Sequence, residues 1–201
     1  MVLSTFDDDR EIREAVRKAY SAASEDPLGK HEFPVGKEFA RSLGYPSNLL
    51  EELPVASVDA FSGVSNVSVN AEILAGASVL DLGCGAGLDS LIAAKRSGPS
   101  GRVVGVDFSP AMLMRAHKAG SEVGLDNTIF CRADAEALPI RSGSIDVALV
   151  NGIFNLNPSR TAIFRALARV LRDGGLVYAA ELILCEPLPP EIRSSEANWF
   201  A

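Results

Sequence analysis

Three glycines on alternate positions are the first residues of this chain whose spacing suggests binding chemistry. Gly83, Gly85 and Gly87 follow an apolar run that ends at Asp81, and a segment with helical spacing comes next. Glycine tolerates positive φ and has no Cβ, so such a loop turns sharply and lets a ligand lie against its N–H groups. Leu88 breaks the G-x-G-x-x-G dinucleotide pattern. The spacing predicts a strand, a turn and a helix around a nucleotide-like ligand.

A second acidic residue, Asp107, ends the next apolar run, 20 residues after Gly87. In nucleoside-binding α/β folds, a carboxylate at this place accepts the hydroxyls of a ribose. The alternative is a cap for the helix that begins at Ser109, and the glycine loop favours the ribose role. Phe108 and Met112 are expected against the adenine face, with core packing as the alternative for each.

Polar residues also follow the third and fourth apolar runs. Asp134 is expected to accept the exocyclic amine of adenine, and the backbone N–H of Ala135 to reach a ring nitrogen. A solvated loop is the alternative. The amide of Asn151 is expected to orient the ligand or a second substrate, and a turn before the next helix would use the same residue.

Strand and helix patterns that alternate along the chain must position these residues. They predict an α/β fold, a Rossmann-like, doubly wound and mostly parallel sheet with the candidate residues at the carboxyl ends of its strands. Asp173, Gly174 and Gly175 are expected to stop the last helix. The predicted strands are 77–82, 102–107, 127–132, 145–151 and 175–184, and the helices between them are 88–97, 110–123 and 159–172.

The first part of the chain predicts a small helical cap over residues 1–70, followed by the main domain over residues 71–201. A surface helix is expected first, and then a segment rich in proline and glycine whose apolar residues pack on the main domain or, alternatively, line a substrate pocket. The predicted helices of the cap are 7–24, 37–42, 47–52 and 55–61.

Together the four strand ends resemble the ordered motifs of the class I S-adenosylmethionine (SAM) methyltransferases, over about residues 70–184. The likeness also includes residues 169–175, which resemble the family's lead into strand five. It implies SAM as cofactor, S-adenosylhomocysteine (SAH) as product, and a small-molecule acceptor. The cofactor-binding residues it implies are Asp81, Gly83, Cys84, Gly85, Gly87, Asp107, Phe108, Met112, Asp134, Ala135 and Asn151.

Within that family the chain is similar to the arsenite methyltransferases, in residues 44–46, 98–103 and 151–158. Arsenic(III) is soft and binds thiolates, and those enzymes place cysteines in the N-terminal segment and after strand five. Here the cysteines are Cys84, Cys131 and Cys185, with none before residue 84. Three converging thiolates are therefore not expected, and each cysteine is predicted to be a small buried hydrophobe.

Methyl transfer from SAM needs mainly the alignment of donor and acceptor. A hydroxyl or amine acceptor would also need a general base, for which Tyr20, His31 and Tyr45 are the candidates. No motif places any of them, so the catalytic residues stay unassigned. The alternative function is a catalytically degenerate nucleoside- or SAM-binding module with a regulatory or interaction role.

Charge and composition limit the partners. The chain of 201 residues has a net charge of −7 and no basic block, which disfavours a nucleic-acid partner. Its acidic start and the lack of a long apolar run predict no membrane segment. Three scattered cysteines indicate neither disulfides nor a metal site and favour a cytoplasmic location.

The C-terminal end is expected to be incomplete, since the family continues with one more helix and two more strands. Strand five would then be an uncovered edge, with Trp199 and Phe200 close to the end of the chain. Both features promote association. We therefore expect either an incomplete chain or a homodimer through this C-terminal edge.

Overall fold

The computed structural model describes residues 9–183 and 185–186. Its centre is a five-stranded parallel sheet with the strand order β3-β2-β1-β4-β5. The strands are β1 (Ser78–Leu82), β2 (Arg102–Asp107), β3 (Thr128–Arg132), β4 (Ile145–Asn151) and β5 (Leu171–Ala180). The helices are α1 (Asp9–Glu25), α2 (Lys37–Ser42), α3 (Ser47–Glu51), α4 (Val55–Val58), α5 (Val67–Asn70), α6 (Leu88–Ser97), α7 (Pro110–Val123) and α8 (Arg160–Val170).

The sheet is apolar on both faces because helices cover both. On one face Leu80 and Leu82 pack in a cluster with Ile163 of α8, and on the other Val79 packs in a cluster with Ala93 of α6. Strands buried on two sides read as continuous apolar runs, which is the pattern that predicted them. The expected Rossmann-like parallel fold is confirmed.

The chain order across the sheet explains where a ligand can bind. From β1 the chain runs outward through β2 and β3, then returns to β4 on the other side of β1 and continues to β5. Connections therefore diverge between β1 and β4, and in open parallel sheets ligands bind in the crevice that this leaves at the carboxyl ends. The glycine loop follows β1 there, and Asn151 ends β4.

The fifth strand differs from its prediction at both ends, because it begins at Leu171 and stops at Ala180. Leu171 already pairs with Ile145, and the register then shifts before Leu176 pairs with Val147. Gly174, with φ of +74°, lies in the shifted stretch. The glycine pair therefore belongs to a bulge inside the strand, and does not stop the preceding helix.

β5 lies at the edge of the sheet, where Leu176 and Val177 remain 48% and 43% exposed. Association through this edge stays a prediction. The predicted helix start at residue 7, the strand end at 184, Trp199 and Phe200 lie outside the described residues.

The N-terminal part is a set of helices packed on the main sheet domain. α2 and α3 lie where they were expected, α4 ends earlier, and α5 was not predicted. α1 is more than a surface helix, because Ile12, Val16 and Ala23 are buried and the helix packs against α7. A division of the chain at residue 70 stays a prediction. Among the described residues, no helix has both the length and the apolarity that crossing a membrane would require.

Candidate functional site

The glycine loop after β1 is a tight turn whose glycines all have positive φ, at +73° for Gly83, +51° for Gly85 and +88° for Gly87. A Cβ on Gly83 would lie 2.0 Å from Cδ1 of Ile153. Beside Gly85 the nearest atom to such a Cβ is the Met112 sulfur, 4.0 Å away. The loop therefore keeps open space above Gly85, as the spacing of the glycines predicted.

The amides of this loop are largely used by the protein itself. Gly83 N and Cys84 N donate to Val106 O at 2.7 and 3.0 Å, and Gly85 N donates to Asp107 Oδ2 at 2.8 Å. These three N–H groups therefore already have acceptors within the protein, and contact of a ligand with the amides of the loop stays a prediction. The loop contributes its lack of side chains, which lets a ligand approach the backbone closely.

Asp107 is the acid at the end of β2 and is 7% exposed. Its Oδ1 accepts from Ser109 N and its Oδ2 from Gly85 N, both at 2.8 Å. The N-cap of α7 is Ser109, whose side chain accepts from Met112 N. Asp107 is therefore not the cap of that helix, which was the alternative to the ribose role. Burial raises the pKa of Asp107, and the amides of Ser109 and Gly85 oppose that rise. Each carboxylate oxygen can still accept from another donor.

Two cavities meet at Asp107, and we call them the loop cavity and the β3 cavity. Both are lined by Gly83, Asp107, Phe108, Ile153 and Leu156. The loop cavity is also lined by Tyr20, Ser57, Ala60, Phe61, Ser62, Gly63, Asp81, Cys84, Gly85, Ala86, Leu88, Asp89, Met112, Asn151 and Gly152. The β3 cavity is also lined by Arg13, Val16, Val106, Ala133, Asp134, Ala135 and Asn157. The structure thus brings the predicted residues together, except Gly87, which caps the start of α6.

A third cavity of about 300 Å³, the cap cavity, opens beside the loop cavity. The two share Tyr20, Ser62, Gly63, Gly152 and Leu156. The remaining lining residues of the cap cavity are Phe33, Pro34, Phe39, Leu43, Val64, Asn155, Glu181 and Leu182. A molecule in the cap cavity would therefore lie directly next to one in the loop cavity.

Met112 is a predicted binding residue whose main observed role is packing. Its side chain is only 1% exposed and packs in a cluster with Ala23, Phe33, Ala60 and Ala86. It lines the loop cavity and is absent from the lining of the β3 cavity, where Asp134 lies. Core packing is thus observed, and contact with adenine stays a prediction.

Asn151 lines the loop cavity with an amide that already has protein partners. Its Oδ1 accepts from Val64 N at 2.8 Å and Ser65 N at 3.1 Å. Its Nδ2 donates to Ser65 O at 2.7 Å and to Asp89 Oδ2 at 2.9 Å. The side chain therefore holds the segment of residues 63–65 against the end of β4, and direct contact with a ligand stays a prediction.

Asp89 is the centre of a buried network that the sequence did not reveal. It lies in the first turn of α6, where an acid is ordinarily explained by the helix dipole. Its Oδ1 accepts from Ser68 Oγ and, at 2.6 Å, from the Tyr45 hydroxyl. Burial, followed by the charge of Asp89, raises the pKa of Tyr45. Tyr45 lines none of the three cavities, so it is not placed to act as a general base.

Asp81 is buried beneath the glycine loop and accepts a hydrogen bond of 2.5 Å from Ser90 Oγ. Burial, and next the charge of Asp89, raises the pKa of Asp81 to about 8. Because its pKa is raised, the carboxyl group stays protonated in the folded chain at pH values where the unfolded chain has already released the proton. The raised pKa of Asp81 thus couples folding to pH.

We expect the free energy of unfolding to fall as pH rises from about 4 to about 8, because over that window the folded state holds a proton that the unfolded state has lost. Asp81→Asn should remove most of this slope and make the variant more stable than the parent by at least about 1 kcal/mol near pH 8. Urea unfolding of the parent and the variant at several pH values measures both free energies of unfolding. Asp107, whose pKa is also raised, leaves a smaller slope of the same sign. Equal slopes in the two proteins would contradict the assignment.

Three residues of α1 line the cavities, namely Arg13, Val16 and Tyr20, and of these the sequence had suggested only Tyr20, as a candidate base. Arg13 Nη2 lies 2.6 Å from Glu136 Oε1, which also accepts from Asn157 Nδ2 at 2.7 Å. Tyr20 stacks on Phe33 with ring centroids 4.7 Å apart. Burial raises the pKa of Tyr20 well above its ordinary value, with a further rise from the charges of Asp107 and Glu181. Tyr20 is therefore a hydrogen-bond donor at neutral pH.

The third candidate base, His31, lies away from the cavities. Its Nε2 is 2.7 Å from Asp26 O, and it lines none of the three. Of the candidate bases, only Tyr20 faces the site.

The three cysteines do not converge. Cys84 is buried among Leu113, Ala116 and Phe130, and burial raises the pKa of its thiol. Cys131 is half-buried, and Cys185 is exposed. The expectation of a buried hydrophobe is confirmed for Cys84 and wrong for Cys185.

Within residues 9–183 and 185–186, no group of three or more His, Cys, Asp or Glu side chains could hold a metal ion.

Comparison with known proteins agrees with the geometry. The chain is 34% identical over 155 residues to an arsenite methyltransferase from Halobacterium salinarum, covering 75% of this chain and 38% of that protein. It is 37% identical over 108 residues to a demethylmenaquinone methyltransferase from Lactococcus lactis, covering 54% of this chain and 43% of that protein. The chain therefore spans less than half the length of these curated relatives.

The fold has a similar counterpart in the crystal structure of CrArsM, an arsenic(III) S-adenosylmethionine methyltransferase from Chlamydomonas reinhardtii. The TM-score is 0.60 at 29% identity, over 77% of this chain and 52% of CrArsM. The resemblance to SAM-dependent and arsenite methyltransferases is thus confirmed. Residues 73–200 match the methyltransferase domain family, and the chain belongs to that family.

Proposed function

We propose that this chain is the SAM-binding domain of a methyltransferase that acts on a small-molecule acceptor. The observation that carries the proposal is the position of Asp107, at the junction of the loop and β3 cavities with acceptor capacity left on both oxygens. Asp107 would hold the ribose hydroxyls, and Asp134 and Ala135 the adenine in the β3 cavity. The methionine end would then lie in the loop cavity.

The charge of the loop cavity supports this orientation. Asp81, Asp89 and Asp107 line it, and no Lys, Arg or His is found among its described lining residues. The sulfonium and the ammonium of SAM are cations, and the negative charges of Asp89 and Asp107 favour them. Asp81, whose pKa is raised to about 8, adds its charge only at higher pH. A phosphate-bearing dinucleotide would meet the opposite sign of charge here.

Bound SAM supplies an activated methyl group, and the chain's own residues have to align donor and acceptor and exclude water. Tyr20, Ser62 and Gly63 lie where the loop and cap cavities join, so this is the place for the transfer. α1 covers the β3 cavity through Arg13 and Val16. The cap thus shields the cofactor from solvent.

Two relatives are named for different acceptors, arsenite and demethylmenaquinone, and both acceptors are small molecules. Arsenite finds little support in this chain, because the thiol of Cys84 is buried with a raised pKa and Cys131 and Cys185 line none of the three cavities. We keep a small molecule as the acceptor class. A cytoplasmic location, the absence of a nucleic-acid partner and the homodimer remain predictions.

Asp107→Ala tests the proposal by calorimetry with SAM and SAH. We expect about 100-fold weaker binding of SAH, since two hydrogen bonds to a charged group are lost at roughly 1.5–3 kcal/mol each. Asp146→Ala is the matched control, because Asp146 accepts from Ser78 N at the opposite end of the sheet and lines none of the three cavities. The control should bind SAH as the parent does.

Undiminished SAH binding by Asp107→Ala would contradict the ribose assignment, and tight binding of NAD without SAM would overturn the proposed function. Transfer from labelled SAM is then screened against arsenite, thiols, amines and small hydroxylated compounds. Binding of SAM without transfer to any of them would favour the degenerate module instead.

A further inference from the structure

The cap cavity is the place where the methyl acceptor would bind, and its lining constrains what that acceptor is. This inference rests on the proposed function, because it takes the loop cavity to hold the methyl donor. Tyr20 and Leu156 line both cavities, so no wall separates them. At about 300 Å³ the cap cavity has room for a small organic molecule.

Most of the cap cavity is apolar. The stacked rings of Tyr20 and Phe33 line it, with Phe39, Leu43 and Leu156. Such a lining gains free energy from contact with an apolar ligand, and aromatic side chains favour a flat ring. A strongly hydrated acceptor such as a sugar would lose its water without equivalent hydrogen bonds.

Glu181 is the one charged side chain among the described residues that line the cap cavity. Its Oε2 accepts from Phe154 N at 2.6 Å and from Asn155 N at 3.2 Å, which holds the carboxylate in place at the carboxyl end of β5. Among the described residues, its second oxygen accepts one longer bond of 3.3 Å, from Leu182 N. An anionic ligand would be repelled here, and a ligand that brings a positive N–H group would be attracted.

The nucleophile must also react without a strong base. The Tyr20 phenol stays protonated, and no histidine or cysteine is found among the described residues of the cap cavity. An alcohol is too weak an acid to give up its proton without a strong base, and a phenolate would be repelled by Glu181. An ammonium loses its proton far more readily than an alcohol, and Glu181 can pass that proton to water. The carboxylate nearby is suited to orienting the amine.

We propose that the acceptor is an apolar, ring-sized amine that binds in the cap cavity with its nitrogen oriented by Glu181. The bound ammonium first releases a proton to water through the Glu181 carboxylate. The nitrogen lone pair then forms the new N–CH3 bond while the S–CH3 bond of SAM breaks, and the electron pair of that bond stays on sulfur to give SAH. The product leaves as the methylated ammonium. Glu181 is thus a specificity-determining residue of the acceptor site.

Three probes of matched shape test this in SAH-saturated protein: 2-phenylethylamine, 2-phenylethanol and phenylacetate, each titrated by ligand-observed NMR. We expect the amine to bind about tenfold more tightly than the alcohol, because a hydrogen bond to the charged carboxylate contributes about that much affinity. Phenylacetate should bind most weakly. Glu181→Gln should remove the preference for the amine, while its amide oxygen still accepts from Phe154 N. Glu186→Gln, the same charge change at an exposed position of that segment, should preserve it.

Leu43→Trp provides a second readout, because the larger side chain fills the cap cavity without touching the loop cavity. It should abolish binding of all three probes and leave SAH affinity unchanged. If SAH binds but the amine has no advantage, or keeps it in Glu181→Gln, the acceptor inference is overturned and the proposed function stands. If neither SAH nor SAM binds to the parent protein, the proposed function itself fails.

Discussion

Asp89→Ala is expected to lower the free energy of unfolding by about 3 to 5 kcal/mol, since it leaves buried donors without their acceptor at roughly 1–3 kcal/mol each. The donors are the Tyr45 hydroxyl, the Ser68 hydroxyl and the Asn151 amide. Tyr45 and Asn151 each keep a second acceptor, the carbonyl oxygen of Ser65, which limits the loss. Part of the loss is offset, because the change also removes a negative charge beside Asp81. Urea unfolding with linear extrapolation measures the difference.

Tyr45→Phe is the matched control for Asp89→Ala. It removes one of the donors and leaves the carboxylate with its other partners, so its expected cost is about 1 kcal/mol. Its ring would keep the contact with Phe61, whose centroid lies 5.1 Å away. A loss in Asp89→Ala no larger than that in Tyr45→Phe would show that the network does not stabilise the fold.

Gly83→Ala should reduce SAH affinity by about ten- to hundredfold, which corresponds to the roughly 1–3 kcal/mol of an overpacked site. The added Cβ would meet the end of the Ile153 side chain at 2.0 Å. Ile153 can rotate away, but it lines both the loop and the β3 cavity, so its movement changes the space where the cofactor would lie. Calorimetry with SAH gives the affinity.

Gly124→Ala separates this effect from the cost of the backbone. Gly124 also has positive φ, at +64°, but nothing lies within 4 Å of an added Cβ. Both variants should lose about 1–2 kcal/mol of stability from the left-handed conformation, and only Gly83→Ala should lose affinity. Equal affinity losses would mean that the loop tolerates a side chain at position 83.

Local patterns predicted the sheet well, and they predicted which residues line the loop and β3 cavities at its carboxyl edge. The glycine spacing, the acid at the end of β2 and the residues after β3 are features of neighbouring positions in the chain, and parallel strands bring their carboxyl ends to one edge. Asp107 and Asp134 therefore lie where the chain order placed them. The fifth strand was misplaced because a glycine pair reads equally well as a helix stop and as a bulge.

The cap cavity was less predictable, because its lining residues meet only after the N-terminal helices pack on the sheet domain. Tyr20 and Glu181 lie 161 positions apart and reach the same cavity from α1 and from the end of β5. No periodicity connects such positions. Asp89 is similar, since its partners at residues 45, 68 and 151 belong to three other segments. A single sequence shows that these residues are polar, but it does not show which of them pair.

The hydrogen bonds that meet at Asp89 also set a rule for exchanging caps between family members. Tyr45 and Ser68 belong to the cap in chain order, but they complete a polar centre that starts in the first turn of α6. A graft that replaced residues 1–70 without equivalent hydroxyls would leave the buried Asp89 carboxylate without two of its hydrogen-bond donors. The N-terminal helices and the start of α6 therefore have to be exchanged together, and a transplant has to carry both hydroxyls or neutralise position 89.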